Sequence, residues 1–298
     1  MQLKLGKLPP VQEDIDEAIQ FTDLVPVILP VPPSAYDGFS EAFSSLGIPD
    51  GDDRVLYPMY GNGPDPTVQP PDSKKGYGNC VLAAFAKFIT SCAALVGKKV
   101  VFTANQVIDI YLKLSGGDNG LNISRTIDYA IANGLLGEKP VAKVYVDPTN
   151  LAHVQLASYL FKFLVTGIQC TDQMQQAFKS GGVMDGTGTV MGGHGIVTGA
   201  YGDFYKIKTW GGTLRLNDGG WAKVDELWVV ASQEMVQNAG RFCPQFAGNL
   251  LDAMQTIADQ FCCYRATCAT VYDDKLKPAA IYQKPSHFMG EPISNCPF

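Results

Sequence analysis

Residues 80–96, CVLAAFAKFITSCAALV, constrain this chain more than any other stretch. Wound as a helix they offer no polar face, because apolar or small side chains surround the axis and Lys87 carries the one charge. Such a helix is either enclosed by protein or placed in a membrane. This one is short for a bilayer, has Lys87 at its middle and runs into Gly97-Lys98-Lys99, so a central, buried helix is expected.

The rest of the chain must wrap that helix. With 298 residues, 46% hydrophobic and 17% charged, there is material for a substantial core. Lys and Arg number 23 against 29 Asp and Glu, a formal charge of −6 with no basic block. Nucleic acid is therefore not an expected partner. No apolar h-region opens the chain, so no secretory signal is read, and a cytoplasmic or virion-associated setting with mostly free thiols is expected.

Residues 1–72 are rich in proline (LVPVILPVPPSAYDG, YPMYGNGPDPTVQPPDS) and read as an N-terminal arm laid along a domain surface. Residues 73–235 hold the regular elements. Thr103 caps a helix that stops at Gly116-Gly117, and a third helix covers 123–133 with Gly134 as its stop. A strand at 141–146, a helix capped by Asn150 and reaching about Phe161, a strand at 163–169 and a helix at 171–180 follow. From Gly193 the chain turns to short β runs, HGIVTGAY, DFYKIKTW, TLRLN, GWAKV and ELWVVA. Helices followed by strands predict an α+β domain with two lobes. Residues 236–298 read as a helix near 249–261 and a tail bearing Cys243, Cys262, Cys263, Cys268 and Cys296. Arm and tail are the expected places for protein partners.

Chemistry concentrates at Gly76-Tyr77-Gly78-Asn79-Cys80. A glycine turn delivers Cys80 to the first turn of the buried helix, where unpaired N–H groups and the helix dipole favour a thiolate and can hold an oxyanion. Of three histidines, His194 sits between glycines at the opening of an apparent strand, where the backbone can approach another element closely. His153, at helical spacing, and His287, beside Pro285, read as ordinary residues, and Cys92 and Cys170 as structural thiols. The glycines at 186, 188 and 192 lack dinucleotide spacing, and neither a Walker motif nor a zinc-spaced cluster is present, so no cofactor and no metal is expected.

Gly78-Asn79-Cys80 opening a helix, then Gly116-Gly117, Gly193-His194-Gly195 and Trp210-Gly211, in that order, resemble the papain-like cysteine peptidases. The resemblance spans about residues 70–231. It implies a papain-like two-lobed fold with Cys80 as nucleophile, His194 as base, Gly116-Gly117 on the cleft wall against substrate main chain, and Trp210 over the polar network. The activity implied is hydrolysis of a peptide or related amide. Departures are Lys74 six residues before the cysteine, where the family has its oxyanion glutamine, Val81 in place of an aromatic, and Lys208 where an asparagine orients the histidine. Asn79 is the substitute donor; Thr209, Asn217 or Asp218 are the substitutes for the orienting group. The opening KLGKLPP, the Gly-Asn-Cys helix start and the Thr-Trp-Gly strand end resemble papain-like proteins of phages and prophages. The alternative to an active thiol hydrolase is a catalytically silent domain of the same fold that binds or assembles, with a phage virion as one setting.

Overall fold

A computed structural model describes residues 5–25, 31–62, 76–243, 245–246 and 248–255. In chain order the elements are α1 (Gln12–Asp16), β1 (Ile19–Gln20), α2 (Phe21–Leu24), β2 (Tyr36–Asp37), α3 (Gly38–Ser45) and α4 (Asp53–Leu56). Then come α5 (Cys80–Leu95), α6 (Ala104–Ser115), α7 (Ile123–Asn133), β3 (Ala142–Tyr145), α8 (Leu151–Phe161), β4 (Leu164–Thr171) and α9 (Asp172–Ser180). The last are β5 (Val183–Met184), β6 (Val190–Tyr201), β7 (Tyr205–Thr209), β8 (Gly212–Leu216), α10 (Asp218–Trp221), β9 (Val224–Ala231) and α11 (Gln233–Phe242). This is the α+β arrangement expected from the sequence.

Local chemistry explains most boundaries. Thr103 and Gln106 form a reciprocal capping box on α6, and Gly116 closes it in the left-handed conformation at φ 63. Asn150 caps α8 through the His153 N–H, and Gly134 ends α7. The run GWAKV is corrected: Asn217 accepts from the Gly220 N–H and starts the single turn α10, so strand β9 begins only at Val224. The expected helix near 249–261 is helical over 248–255, and its remainder lies outside the described residues, as do His287 and four tail cysteines.

The strands form one sheet in the order β1-β3-β9-β4-β6-β7-β8-β5, with β2 joined to the far end of β6. Its central pairs are antiparallel. Both faces are covered, which is why β4 and β9 are almost continuously buried rather than alternating. Val165, Val197 and Val230 join the core around α5, while their neighbours Leu164, Ile196 and Val229 join the core under α8, α9 and α11. The period of two in a strand divides them.

The N-terminal arm goes deeper than a surface leader. Phe21 and Leu24 enter one core, and Phe39, Phe43, Leu56, Tyr57 and Tyr60 enter the other. Short pairs β1–β3 and β2–β6 attach it to the sheet.

Candidate active site

Cys80 is the first residue of α5, and the cap position before it offers no side-chain hydrogen bond to the helix. The first-turn N–H groups are thus left to the site itself. Three contacts brace the glycine turn. The Gly78 N–H donates to Asp118 at 2.8 Å, and the Tyr111 hydroxyl donates to the same carboxylate oxygen at 2.7 Å. The Asn79 side-chain amide donates to the Tyr60 carbonyl at 2.7 Å. Asn79 therefore ties the turn to the 57–62 segment through one of its two amide N–H groups, and its side-chain oxygen is without a partner among the described residues. Asp118 carried no sequence signal, because it reaches the turn from 40 residues away.

His194 lies on β6 and is buried. Both flanking glycines permit close approach. A Cβ on Gly195 would stand 2.9 Å from the Val81 Cα, and one on Gly193 would stand 2.6 Å from the Lys7 carbonyl oxygen. The first makes room for the head of α5 against the strand, and the Gly195 N–H donates to the Cys80 Sγ at 3.4 Å.

His194 Nε2 is hydrogen-bonded to Thr209 Oγ1 at 2.6 Å. Trp210 stacks on the imidazole, with ring centroids 4.4 Å apart and planes inclined by 19°. Nδ1 has no partner among the described residues. Of the three substitutes considered for the orienting group, Thr209 makes this contact, whereas Asn217 and Asp218 build α10.

Lys208 does not crowd the imidazole. Adjacent strand residues point to opposite faces, so with Thr209 turned to His194, Lys208 is turned away. Its ammonium bonds Asp53 and, at 2.6 Å, the Thr213 hydroxyl, among the rings of Phe39, Phe43 and Tyr57. Burial pushes the Lys208 pKa down while Asp53 opposes the shift.

The cleft beside the cysteine turn, between Gly120-Leu121 and the Gly193 end of β6, is occupied by the chain's own N-terminal segment. The Leu121 N–H donates to the Gly6 carbonyl at 2.8 Å, the Leu8 N–H to the Leu121 carbonyl at 2.9 Å, and the Lys7 N–H to the Gly193 carbonyl at 3.3 Å. Lys7 is thus bridged parallel to Leu121 on one side and antiparallel to Gly193 on the other. Gly6 lies on the cysteine turn so tightly that a Cβ there would stand 1.7 Å from the Gly78 carbonyl oxygen. The wall holding this main chain is Gly120-Leu121. Gly116 and Gly117 end α6 a few residues earlier, and Gly116 has open space where a Cβ would go. The pairing of Lys7 with distant edges left no local periodicity to read.

Burial dominates the electrostatics. It raises the Cys80 pKa, against the N–H groups of Gly195 and Gly6, the Lys7 charge and the Val81 N–H. It lowers the His194 pKa to about 3, with the charges of Lys87 and Lys7 acting in the same direction. With the segment seated, burial thus favours the neutral form of both the thiol and the imidazole. Lys87, buried in α5 over the Tyr60 ring, is lowered to about 7, mainly by burial.

Elsewhere, His153 is held by Asn150 and packs against Phe21, and Cys92, Cys170 and Cys243 are free thiols. Among the described residues, no group of three His, Cys, Asp or Glu is placed to hold a metal ion. Nor is any helix there long and apolar enough to cross a membrane.

No family profile matches the chain. No curated protein sequence matches it either. Solved structures similar to it include xylellain, a cysteine protease from Xylella fastidiosa, at 12% identity over 78% of this chain and 97% of that chain, with a TM-score of 0.49. A procathepsin B from Trypanosoma congolense is similar at 11% identity over 76% and 86%, TM-score 0.47. A cysteine protease from Carica candamarcensis is similar at 14% identity over 67% and 99%, TM-score 0.45.

Proposed function

We propose that this chain is a thiol hydrolase of peptide or related amide bonds, with Cys80 as nucleophile and His194 as base. The observation that carries the reading is the approach of α5 to β6 at Gly195, which sets the Cys80 sulfur against the strand of His194. A scaffold has no need of a thiol at a helix head, an imidazole with one free ring nitrogen and an aromatic lid over it.

In the reaction, His194 Nδ1 takes the Sγ proton and the thiolate attacks the amide carbonyl carbon. The N–H groups at the head of α5 hold the oxyanion that forms. Collapse breaks the C–N bond, and the imidazolium gives its proton to the departing amine. Water, deprotonated by His194, then attacks the thioester, releasing the acid and restoring the thiol. Thr209 keeps Nε2 engaged so that Nδ1 faces the chemistry, and Trp210 shields that hydrogen bond from water. Lys74, in the family's oxyanion-donor position, lies outside the described residues, and the reading takes no step through it. A virion or cytoplasmic setting, and partners bound through arm and tail, belong to the same proposal, and the virion setting rests on the resemblance to phage-encoded proteins.

The catalytically silent reading is favoured by one observation, the burial of both Cys80 and His194 beneath the seated segment, which raises the thiol pKa and lowers that of the imidazole. Iodoacetamide labelling of the whole protein between about pH 4 and 9, with sites read by mass spectrometry, separates the two. It is run on Gly6→Val, whose side chain cannot coexist with the Gly78 carbonyl, with and without His194→Ala. The hydrolase reading expects selective Cys80 labelling below about pH 7 that the histidine substitution abolishes. Labelling no faster than that of Cys92 sinks it.

A further inference from the structure

The Lys7 side chain enters the β side of the molecule, as does that of Leu5, which packs on Gly192 and the sheet core. The lysine side chain is fully buried, yet no part of the segment belongs to a regular element. The ammonium lies 3.0 Å from both Asp225 carboxylate oxygens and 3.1 Å from Glu226 Oε1. Glu226 is held in place by the Trp228 indole N–H, which donates to its other oxygen at 2.8 Å. The floor is Gly167, where a Cβ would stand 2.2 Å from the Lys7 Cε, so any other residue there would fill the space taken by the lysine stem.

Two adjacent carboxylates, an indole donor that anchors one of them and a glycine floor form a pocket for a long cationic side chain. On either side, Leu121 and Gly193 supply main-chain bonds of the kind that hold an extended peptide at a sheet edge. We propose that this pocket is the side-chain-selecting subsite of the cleft, that it takes lysine or arginine from an extended peptide, and that Lys7 is its resident occupant. The substrate class is therefore a peptide with a basic residue at the position next to the scissile region, and it competes with residues 5–8 for the same bonds. Emptied, the pocket presents two adjacent carboxylates of which Glu226 is buried, an arrangement that calls for a counter-cation. Burial already raises the Glu226 pKa, with the Lys7 charge as the chief opposing influence. The inference rests on the hydrolase reading only for the word substrate; the pocket itself is a binding claim.

The test is a binding measurement that needs no turnover. Full-length protein carrying Gly6→Val and Cys80→Ala is titrated against fluorescein-labelled Leu-Gly-Lys-Leu-Pro, a copy of residues 5–9, and against the same peptide with norleucine for lysine. Fluorescence anisotropy is read at low and at moderate salt. The lysine peptide is expected to bind about tenfold or more tightly, an advantage lost in Asp225→Asn/Glu226→Gln. Asp225→Asn alone, at the more exposed carboxylate, guards against misfolding of the double variant and should lose part of the advantage. Lys7→Met empties the pocket by a second route and should show the same preference. Equal affinity for both peptides, or no binding by either emptied variant while Cys80 in the Gly6→Val single variant becomes open to alkylation, overturns the proposal. A silent domain would still pass this test, whereas hydrolysis of amides without preference for a basic residue would sink the subsite and leave the hydrolase standing.

Discussion

Two lysines of this molecule lie buried against carboxylates, and they do different work. Lys208 belongs to a strand paired antiparallel on both sides, is surrounded by Phe39, Phe43 and Tyr57, and meets an acid from α4. Lys7 belongs to a segment held by three main-chain hydrogen bonds and its own ion pairs. The chemistry is the same, but the backbone around it is not. A buried ion pair framed by a sheet is a staple, because its removal leaves a charge inside a structure that cannot open locally. Placed on a short stretch between two edges, the same pair is a latch, because the stretch can leave and let water reach the acids.

The largest expected effect separates latch from staple. Lys7→Met should raise the rate of Cys80 alkylation by about a hundredfold while changing global stability little, since only local opening is involved. Lys208→Met should do the reverse, lowering stability by about 3 kcal/mol in urea unfolding with Cys80 still protected. If both variants lose similar stability and neither exposes Cys80, residues 5–8 are part of the framework and the contrast fails.

A smaller effect concerns how each region supports the site. Thr209→Val leaves His194 Nε2 without its partner and should cut amide hydrolysis about a hundredfold with fold and KM largely kept. Thr209→Ser should restore most of the rate. A rate unchanged in the valine variant would show that Trp210 alone holds the ring.

The last effect is a slope with pH. The His194 imidazole, ordinarily titrating near 6.5, is lowered to about 3 in the folded chain, mainly by burial. Between those values the unfolded chain holds the extra proton, so stability should rise with pH across the window and fall on acidification. His194→Gln should flatten that part of the curve. Lys7→Met should flatten it partially, because water then reaches the ring. Urea midpoints at about pH 4 and pH 6.5 decide the matter, and equal slopes in all three proteins would mean that other groups set the acid response.

How much was legible follows from the range over which each signal acts. Helix ends at Thr103, Gly116, Gly134 and Asn150 were readable because caps and left-handed glycines act over one turn. The glycines around His194 announced a close approach, and their partners prove to be the head of α5 on one side and Lys7 on the other. The stretch GWAKV misled, because its alternation is also compatible with one helical turn once Asn217 supplies a cap. Lys208 was alarming in sequence and harmless in space, because the next residue along a strand faces the other way.

By itself, then, the sequence determined the buried helix headed by Cys80, the change from helices to strands, and the order in which a thiol, an imidazole and a tryptophan are delivered. These rest on composition, periodicity and contacts within a few residues. Only the tertiary structure decided that Thr209 engages His194, that Asp118 braces the cysteine turn, and that Lys7 closes the cleft on Asp225 and Glu226. The last pairing joins residues 218 positions apart. No local preference encodes such a contact. It exists because sheet and helix, once packed, leave a space bordered by main-chain hydrogen-bonding groups and two acids, one of them buried, and a cation on a flexible stem is what fills it.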